Sequence, residues 1–338
     1  MDAGFADAGV RTVLACEIDR TAAATWRRNF GEGMHAGDVR GLLPHLEAGA
    51  ADIVFGGPPC QGYSVAGKMD PSDPRSTLVY AFLEAVGRVA PRAFVMENVD
   101  ALARLAKWRG TLEDIRGRAT AIGYATHVEV LDAADYCVPQ ARRRMFMWGV
   151  RRGDEGGVAA AVTATLAGLR TERKPSRTVF ERLGPAGTPQ NPATSGAAIS
   201  FCRNPVLRPS PWAGMLFNGA GRPVNPDTPA PTMAASAGGN KTHIVDERHV
   251  FGGGPAFAVE YRRRLADGLP PFTGKAPDFL RRLTLREAAA FQTFPEGFAF
   301  EGSNSSAYRQ IGNAVPCALA RAAALAARAA AGANIANL

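Results

Sequence analysis

The sequence is poor in cysteine and has no long uncharged apolar run, and both shortages narrow what it can be. No stretch approaches the roughly 18 uncharged apolar residues of a membrane span. Met1-Asp2-Ala3-Gly4 has neither the basic region nor the apolar run of a signal peptide. The five cysteines, Cys16, Cys60, Cys137, Cys202 and Cys317, are scattered, and no Cys-x-x-Cys pair occurs. This spacing argues against a disulfide framework and a cysteine-ligated zinc site; a reducing cytoplasm is expected, with no metal and no membrane partner. No internal repeat is visible, so no solenoid is indicated. What is present suits a globular protein with a real core. The 338 residues are 46% hydrophobic and 21% charged, a length for two domains or one domain with an insertion.

The positive charge is unevenly placed. The chain carries +8, and residues 151–280, with 16 basic against 10 acidic side chains, supply +6 of it. The same stretch holds 15 of the 24 prolines. Charge alone leaves two readings open, a solvated loop region or a polyanion-binding face.

Residues 1–150 alternate short apolar runs with helical patterns. Thr12–Cys16, Asp52–Phe55, Ala93–Met96 and Met145–Val150 read as buried strands, and Asp19–Asn29 and Thr77–Val89 as helices. Continuous hydrophobicity in such an alternation predicts a parallel sheet covered on both faces. A late Ala-rich helix, about 314–331, is expected to return to the first domain. Ligands bind beyond the carboxyl ends of such strands. Glu17, Cys60 and Glu97 all follow a strand, and Asp38 follows a short one. For Asp38 taken alone, a helix cap is the stronger reading. Cys60 differs, because Gly56-Gly57-Pro58-Pro59-Cys60-Gln61-Gly62 puts a thiol on a rigid turn. A buried structural cysteine needs no such turn; a positioned nucleophile does.

Pro58-Pro59-Cys60-Gln61-Gly62-Tyr63-Ser64, Met96-Glu97-Asn98-Val99 and Gln140-Ala141-Arg142-Arg143-Arg144 resemble the catalytic motifs of the C5-cytosine DNA methyltransferases of bacterial restriction–modification systems. Glu17-Ile18-Asp19 and Gly37-Asp38-Val39 resemble that family's cofactor acids. Arg282-Leu283-Thr284 with Glu287, Gln292–Pro295 and Gln310–Pro316 resemble its last two motifs, and the order is the family's own. The resemblance implies a Rossmann-like, S-adenosylmethionine-dependent α/β fold with a smaller, irregular target-recognition domain. The domains it implies are 1–150 (catalytic), 151–280 (target recognition) and 281–338 (return to the catalytic domain).

The resemblance also assigns roles. Cys60 adds to C6 of a flipped cytosine, Glu97 serves N3, Arg142 meets O2, and Arg144 supports the loop or contacts the nucleotide. Glu17 binds the cofactor ribose, Ile18 packs on its adenine, and Asp38, beside Val39, accepts from the adenine amine. Asn313 and Val315 close over the cofactor, with Pro58 and Leu78 as lesser contacts. Gln61, Ser64 and Gln140 face the DNA. The basic segment becomes the DNA reader: Arg203, Arg208, Arg222 and Lys241 as contacts, and Arg262, Arg263 and Arg264 on phosphates. A monomer acting on double-stranded DNA is expected, and the resemblance allows a cognate restriction endonuclease beside it.

Two departures stand out. Ala290 replaces a frequent arginine. The family's first strand and its Phe-x-Gly-x-Gly cofactor loop have no counterpart here, Met1–Phe5 resembling the helix after that loop. The expectation is that the in-frame DNA upstream of Met1 encodes them. A non-catalytic DNA-binding relative and an RNA cytosine-5 methyltransferase remain alternatives.

Overall fold

A computed structural model describes residues 1–59, 77–193 and 197–332. Two compact units emerge: residues 1–137, 142–172 and 317–338 form the first, and 138–141 with 173–316 the second. The seams thus fall near 137–142, 172 and 316, whereas the sequence suggested 150 and 280. Among the described residues, no helix is long and apolar enough to cross a membrane.

In the first unit, β3 (Ile53–Gly56), β4 (Ala93–Val99), β6 (Arg143–Arg151) and β5 (Tyr124–Asp132) form a sheet in that spatial order. β3 and β4 are parallel, but β6 runs antiparallel to both its neighbours. The sheet is therefore mixed, which corrects the all-parallel expectation. Burial on both faces makes an antiparallel strand as continuously apolar as a parallel one, so hydrophobicity does not report direction. β5 is mostly half-buried and carries no continuous apolar run, so hydrophobicity does not mark it as a strand.

β1 (Ala15–Glu17) pairs in parallel with β2 (Met34–Ala36) as a separate two-stranded ribbon. Val13 and Leu14, expected in a buried strand, are 49% and 46% exposed, and the strand begins only at Ala15. α2 (Arg20–Phe30) starts where Asp19 accepts from the backbone N–H groups of Thr21 and Ala22.

The two faces of β6 separate by residue parity. Met145 and Met147 join Phe94, Met96, Val86 and Ile115 in a core under α4 (Leu78–Val89) and α6 (Arg109–Ala121). On the other face, the Trp148 indole N–H donates to the Ala323 carbonyl (3.0 Å) of the Ala-rich α13 (Cys317–Ala330). Opposite Phe94 in the ladder stands Gly149, where a Cβ would lie 1.9 Å from the Phe94 ring. Gly149→Ala must displace a fully buried phenylalanine wedged against Tyr124 (ring centroids 5.3 Å apart). We expect a loss of about 1–3 kcal/mol, read as a lower midpoint in urea unfolding.

The second unit is assembled around a buried ion network. Arg281, on β10 (Leu280–Arg282), donates to both carboxylate oxygens of Glu287 (2.8 and 2.7 Å) and to Glu247 (2.7 Å). Glu287 is fully buried and also accepts from Asn191 and from the Thr284 backbone, closing a capping box at the start of α11 (Leu285–Phe291). Every partner of that buried carboxylate is a donor, as its desolvation requires.

Candidate active site

The chemistry suggested by the sequence requires a carboxyl, a guanidinium and a thiol near one strand end. β4 supplies the carboxyl, because Glu97 follows a buried apolar run and lies near the strand's carboxyl end. The antiparallel register brings Arg144 opposite Val99, and its Nε lies 3.0 Å from Glu97 Oε1. Asn98, 1% exposed, donates through Nδ2 to the Pro58 carbonyl (3.3 Å), while its Oδ1 accepts from the Val99 N–H (2.9 Å). Asn98 thereby ties the strand end to the chain two residues before Cys60. Cys60, Gln61 and Ser64 themselves lie outside the described residues.

Two opposed influences act on Glu97. Burial, the larger, pushes its carboxyl above the usual range, while Arg144 and Arg142 pull it back. The net direction is upward, toward a carboxyl able to hold a proton. Arg142 is buried, its backbone N–H donating to Asp132 (3.1 Å) and its carbonyl accepting from Ala133 (2.9 Å), which fixes the chain where β5 and β6 meet.

Glu97 also rests on backbone. A Cβ at Gly57 would stand 2.8 Å from Glu97 Oε2. Gly57→Ala is expected to shift the carboxyl and lower turnover by on the order of 10²-fold, since small misplacements of reacting groups carry that cost. The thermal midpoint should move little, because Gly57 is exposed. Methyl-transfer rates beside a melting curve check both halves of this expectation.

Glu17 and Asp38 sit at neighbouring strand ends. The Gly37 N–H donates to the Glu17 carbonyl (2.9 Å), and both carboxylates push the Cys16 thiol upward, adding to its burial. Glu17 Oε1 accepts from the Asp19 N–H at 2.8 Å. Asp38 caps the short helix α3 (Val39–Leu42) and pairs with Arg40, whose side-chain hydrogen bonds hold its carboxyl down at about 2. The cap reading of Asp38 is thus met, and the carboxylate stays ionised at neutral pH. Ile18 is 70% exposed, an apolar side chain left bare between two acids. Val39, Pro58 and Leu78 are half-buried. In the second unit, Asn313 ends α12 (Asn304–Asn313) exposed, and Val315 is buried.

The residues expected to face DNA divide. Gln140 does not reach a surface: it is fully buried, donating to the Phe291 carbonyl (3.4 Å) and accepting from the Met233 N–H (3.2 Å). It is an internal brace, because a buried amide must satisfy both its ends. Arg203, Arg208, Arg222 and Lys241 are exposed. Arg222 and Lys241 lie on strands of chain zipped side by side. The Ile244 N–H donates to the Arg222 carbonyl (2.9 Å), and Arg282 bridges the Thr242 and Asn218 carbonyls (2.9 and 3.0 Å). The Arg222 N–H reaches His243 Nδ1 (3.2 Å), and burial lowers that imidazole to about 4, keeping it neutral. Of the three consecutive arginines on α10 (Phe257–Ala266), Arg262 donates to the Arg208 carbonyl, Arg264 lies over the Phe272 ring, and Arg263 is exposed. Sequence reasoning passed over Asn98 and Arg281. Their signal was adjacency to motif residues already singled out.

A family model described as C-5 cytosine-specific DNA methylase matches residues 1–179 and 239–328. The chain is 28% identical to the type II methyltransferase M.AgeI of Thalassovita gelatinovora, over 94% of both proteins. It is 31% identical to M.Eco47II of Escherichia coli, over 94% of this chain and 73% of that protein. Among solved structures, the Dnmt2 methyltransferase of S. pombe shares the fold with a TM-score of 0.63 at 18% identity, covering 96% of this chain and 92% of that one.

Proposed function

The chain belongs to the C-5 cytosine-specific DNA methylase family, and from that premise we propose that it methylates C5 of a cytosine turned out of a specific duplex site, through a covalent Cys60 adduct at C6. As a member of that family it is a DNA (cytosine-5-)-methyltransferase, related to the methyltransferases of restriction–modification systems. The observation that carries the mechanism is the Glu97–Arg144 pair standing over Gly57, with a carboxyl pushed toward its protonated form.

Each residue then has a chemical reason. C5 of cytosine is a weak nucleophile until something adds at C6, and a thiolate does so most readily. As the Cys60 sulfur bonds to C6, electron density moves toward N3 and O2. Glu97 gives N3 a proton, which only a carboxyl with a raised pKa can hold at neutral pH. Arg142 meets the charge developing at O2, and Arg144 keeps Glu97 aimed. C5 then bonds to the incoming methyl carbon, whose bond to the donor's sulfur would break in the same step, and Glu97 takes back the N3 proton. Loss of the C5 proton restores the double bond and expels the Cys60 thiolate. The target atom is out of reach inside a duplex, so the cytosine must leave the stack.

S-adenosylmethionine supplies the methyl group as an electrophile. The residues present fit its adenosine portion. Glu17 offers a carboxylate for ribose hydroxyls, Asp38 an ionised acceptor for an adenine amine, and the bare Ile18 an apolar face for the ring. Val39, Pro58, Leu78, Asn313 and Val315 complete the proposed cofactor contacts.

Arg203, Arg208, Arg222, Lys241 and Arg263 form the proposed DNA-facing set, and the segment's positive charge supports it. DNA affinity should fall steeply with salt, and replacing Arg222 and Lys241 together with alanine should reduce the log–log slope by about 2. Equilibrium binding from 50 to 300 mM salt measures this, on the order of the range where counterion release dominates. The decisive test is transfer of labelled methyl groups to duplex DNA and to RNA, followed by sequencing of methylated cytosines in DNA from an expressing host. Label in RNA alone would favour the RNA enzyme, and DNA binding without label the non-catalytic relative.

A further inference from the structure

The second unit contains a cavity of about 430 Å³ that nothing above employs. Its lining combines Trp212 and His249 with Asn225, Asp227, Glu260 and Arg263. The size falls within the range of small-molecule sites and admits a nucleobase with part of its sugar.

The lining is built. The Trp212 N–H donates to Ser210 Oγ (3.3 Å), holding a turn that leaves the indole half-buried. The His249 ring lies nearly parallel to it, with centroids 6.2 Å apart and planes inclined by 27°, so the two make one aromatic wall. His249 Nδ1 is 2.7 Å from the Gly254 carbonyl, which can only accept, so that nitrogen carries the proton. Glu260 and Arg263 are three residues apart on α10 and share a helix face. The opposite face of α10 holds Ala258 and Tyr261 in the core, which fixes the helix's rotation.

The two acids decide the ligand class. Asp227 Oδ1 accepts from Arg177 (2.7 Å) and Glu260 Oε2 from Arg248 (3.0 Å), so an arginine orients each carboxylate through one oxygen. Among the described residues, Asp227 Oδ2 and Glu260 Oε1 accept no further bond. Phosphate would be repelled by these two carboxylates. A flat, neutral ring bearing an exocyclic amine would stack on the indole and donate to them.

We propose that this cavity is a second nucleobase site, in which an unstacked DNA base bearing an exocyclic amine stacks on Trp212 and donates that amine to Glu260 or Asp227. The inference rests on the DNA-modifying reading above and adds a specificity determinant to it. Cytosine, adenine and guanine carry an exocyclic amine; thymine does not and is the disfavoured base.

Trp212 provides its own readout, because the other tryptophans, Trp26, Trp108 and Trp148, are 7%, 2% and 0% exposed. The full chain is titrated with single-stranded oligo(dC), oligo(dA) and oligo(dT) of equal length. Indole emission and the anisotropy of the labelled oligonucleotide are followed together. Oligo(dC) and oligo(dA) should quench the emission and bind more tightly than oligo(dT). Trp212→Leu should abolish the quenching and weaken oligo(dC) binding roughly tenfold, within the span that base–aromatic stacking contributes. Replacing Asp227 and Glu260 together with alanine removes both acceptors, leaves Trp212 and His249 in place, and should bring oligo(dC) to the same affinity as oligo(dT). Equal quenching by all three oligonucleotides, or a base preference that survives loss of both acids, would overturn the proposal. DNA binding with steep salt dependence but unaltered emission overturns the base site and leaves the methyltransferase reading intact. No binding of these oligonucleotides overturns the base site alone; no binding of duplex DNA in the salt titration as well overturns both.

Discussion

Cys60→Ser should remove methyl transfer almost completely, by a factor on the order of 10⁴ or more, while duplex affinity stays within a few-fold. A serine hydroxyl at neutral pH is essentially un-ionised and adds poorly to C6. Contacts that hold the DNA do not involve the sulfur, so binding survives. The same residue predicts a trapping result. In a duplex with 5-fluorocytosine at the target, addition and methyl transfer proceed, but fluorine cannot leave as a proton does. The elimination step is blocked and the Cys60–C6 bond persists. A band resistant to denaturing electrophoresis, present with the parent chain and absent with Cys60→Ser, is the expected outcome. A serine variant turning over near the parent rate would sink covalent catalysis at this position.

Glu97→Gln should lower turnover by on the order of 10²–10⁴-fold, with cofactor affinity little changed. The pH dependence separates a proton donor from a mere spacer. Burial raises the Glu97 carboxyl above its ordinary value of 4.5, with Arg144 and Arg142 opposing. Its protonated fraction therefore falls as pH climbs through the raised value, and the step requiring that proton slows on the alkaline side. Glutamine does not titrate, so this alkaline limb should disappear from the variant's residual activity. Stability carries the same sign. The folded state holds the proton more tightly than the unfolded chain does. This contribution is complete below about 4.5 and is lost as pH rises through the folded-state value. Denaturant unfolding of the parent and of Glu97→Gln across that window should converge at low pH and separate above it. Parallel curves at every pH would mean that Glu97 holds its proton equally well folded and unfolded, and would sink the raised value.

Local features were legible because they depend on neighbours in the chain. Asp19 before an apolar-periodic run is a helix start in sequence and in structure, since a cap needs only a side-chain oxygen two or three residues from free N–H groups. The end of β3 at Gly56 could be read for a similar reason, and that of β4 to within a few residues of Val99, because an apolar run stops where polarity resumes. Motif order indicated the reaction, because each step needs a particular functional group. None of this required knowledge of which strands are neighbours.

Other features depend on contacts that no local pattern encodes. Apolar runs do not state direction, so the antiparallel setting of β6 appears only when Phe94 meets Gly149 across the ladder. That register is also what brings the Arg144 guanidinium to Glu97. Gln140 looked like a surface contact in its motif, yet Phe291 and Met233, 151 and 93 residues away, close over both its ends. The wall beside Trp212 is assembled from segments that are distant in sequence and individually unremarkable. The residues that can do the chemistry were determined by sequence alone, because functional groups belong to side chains. Which carboxyl keeps its proton, which amide is buried and where a base can stack were decided by tertiary structure, because desolvation and proximity are properties of the surroundings.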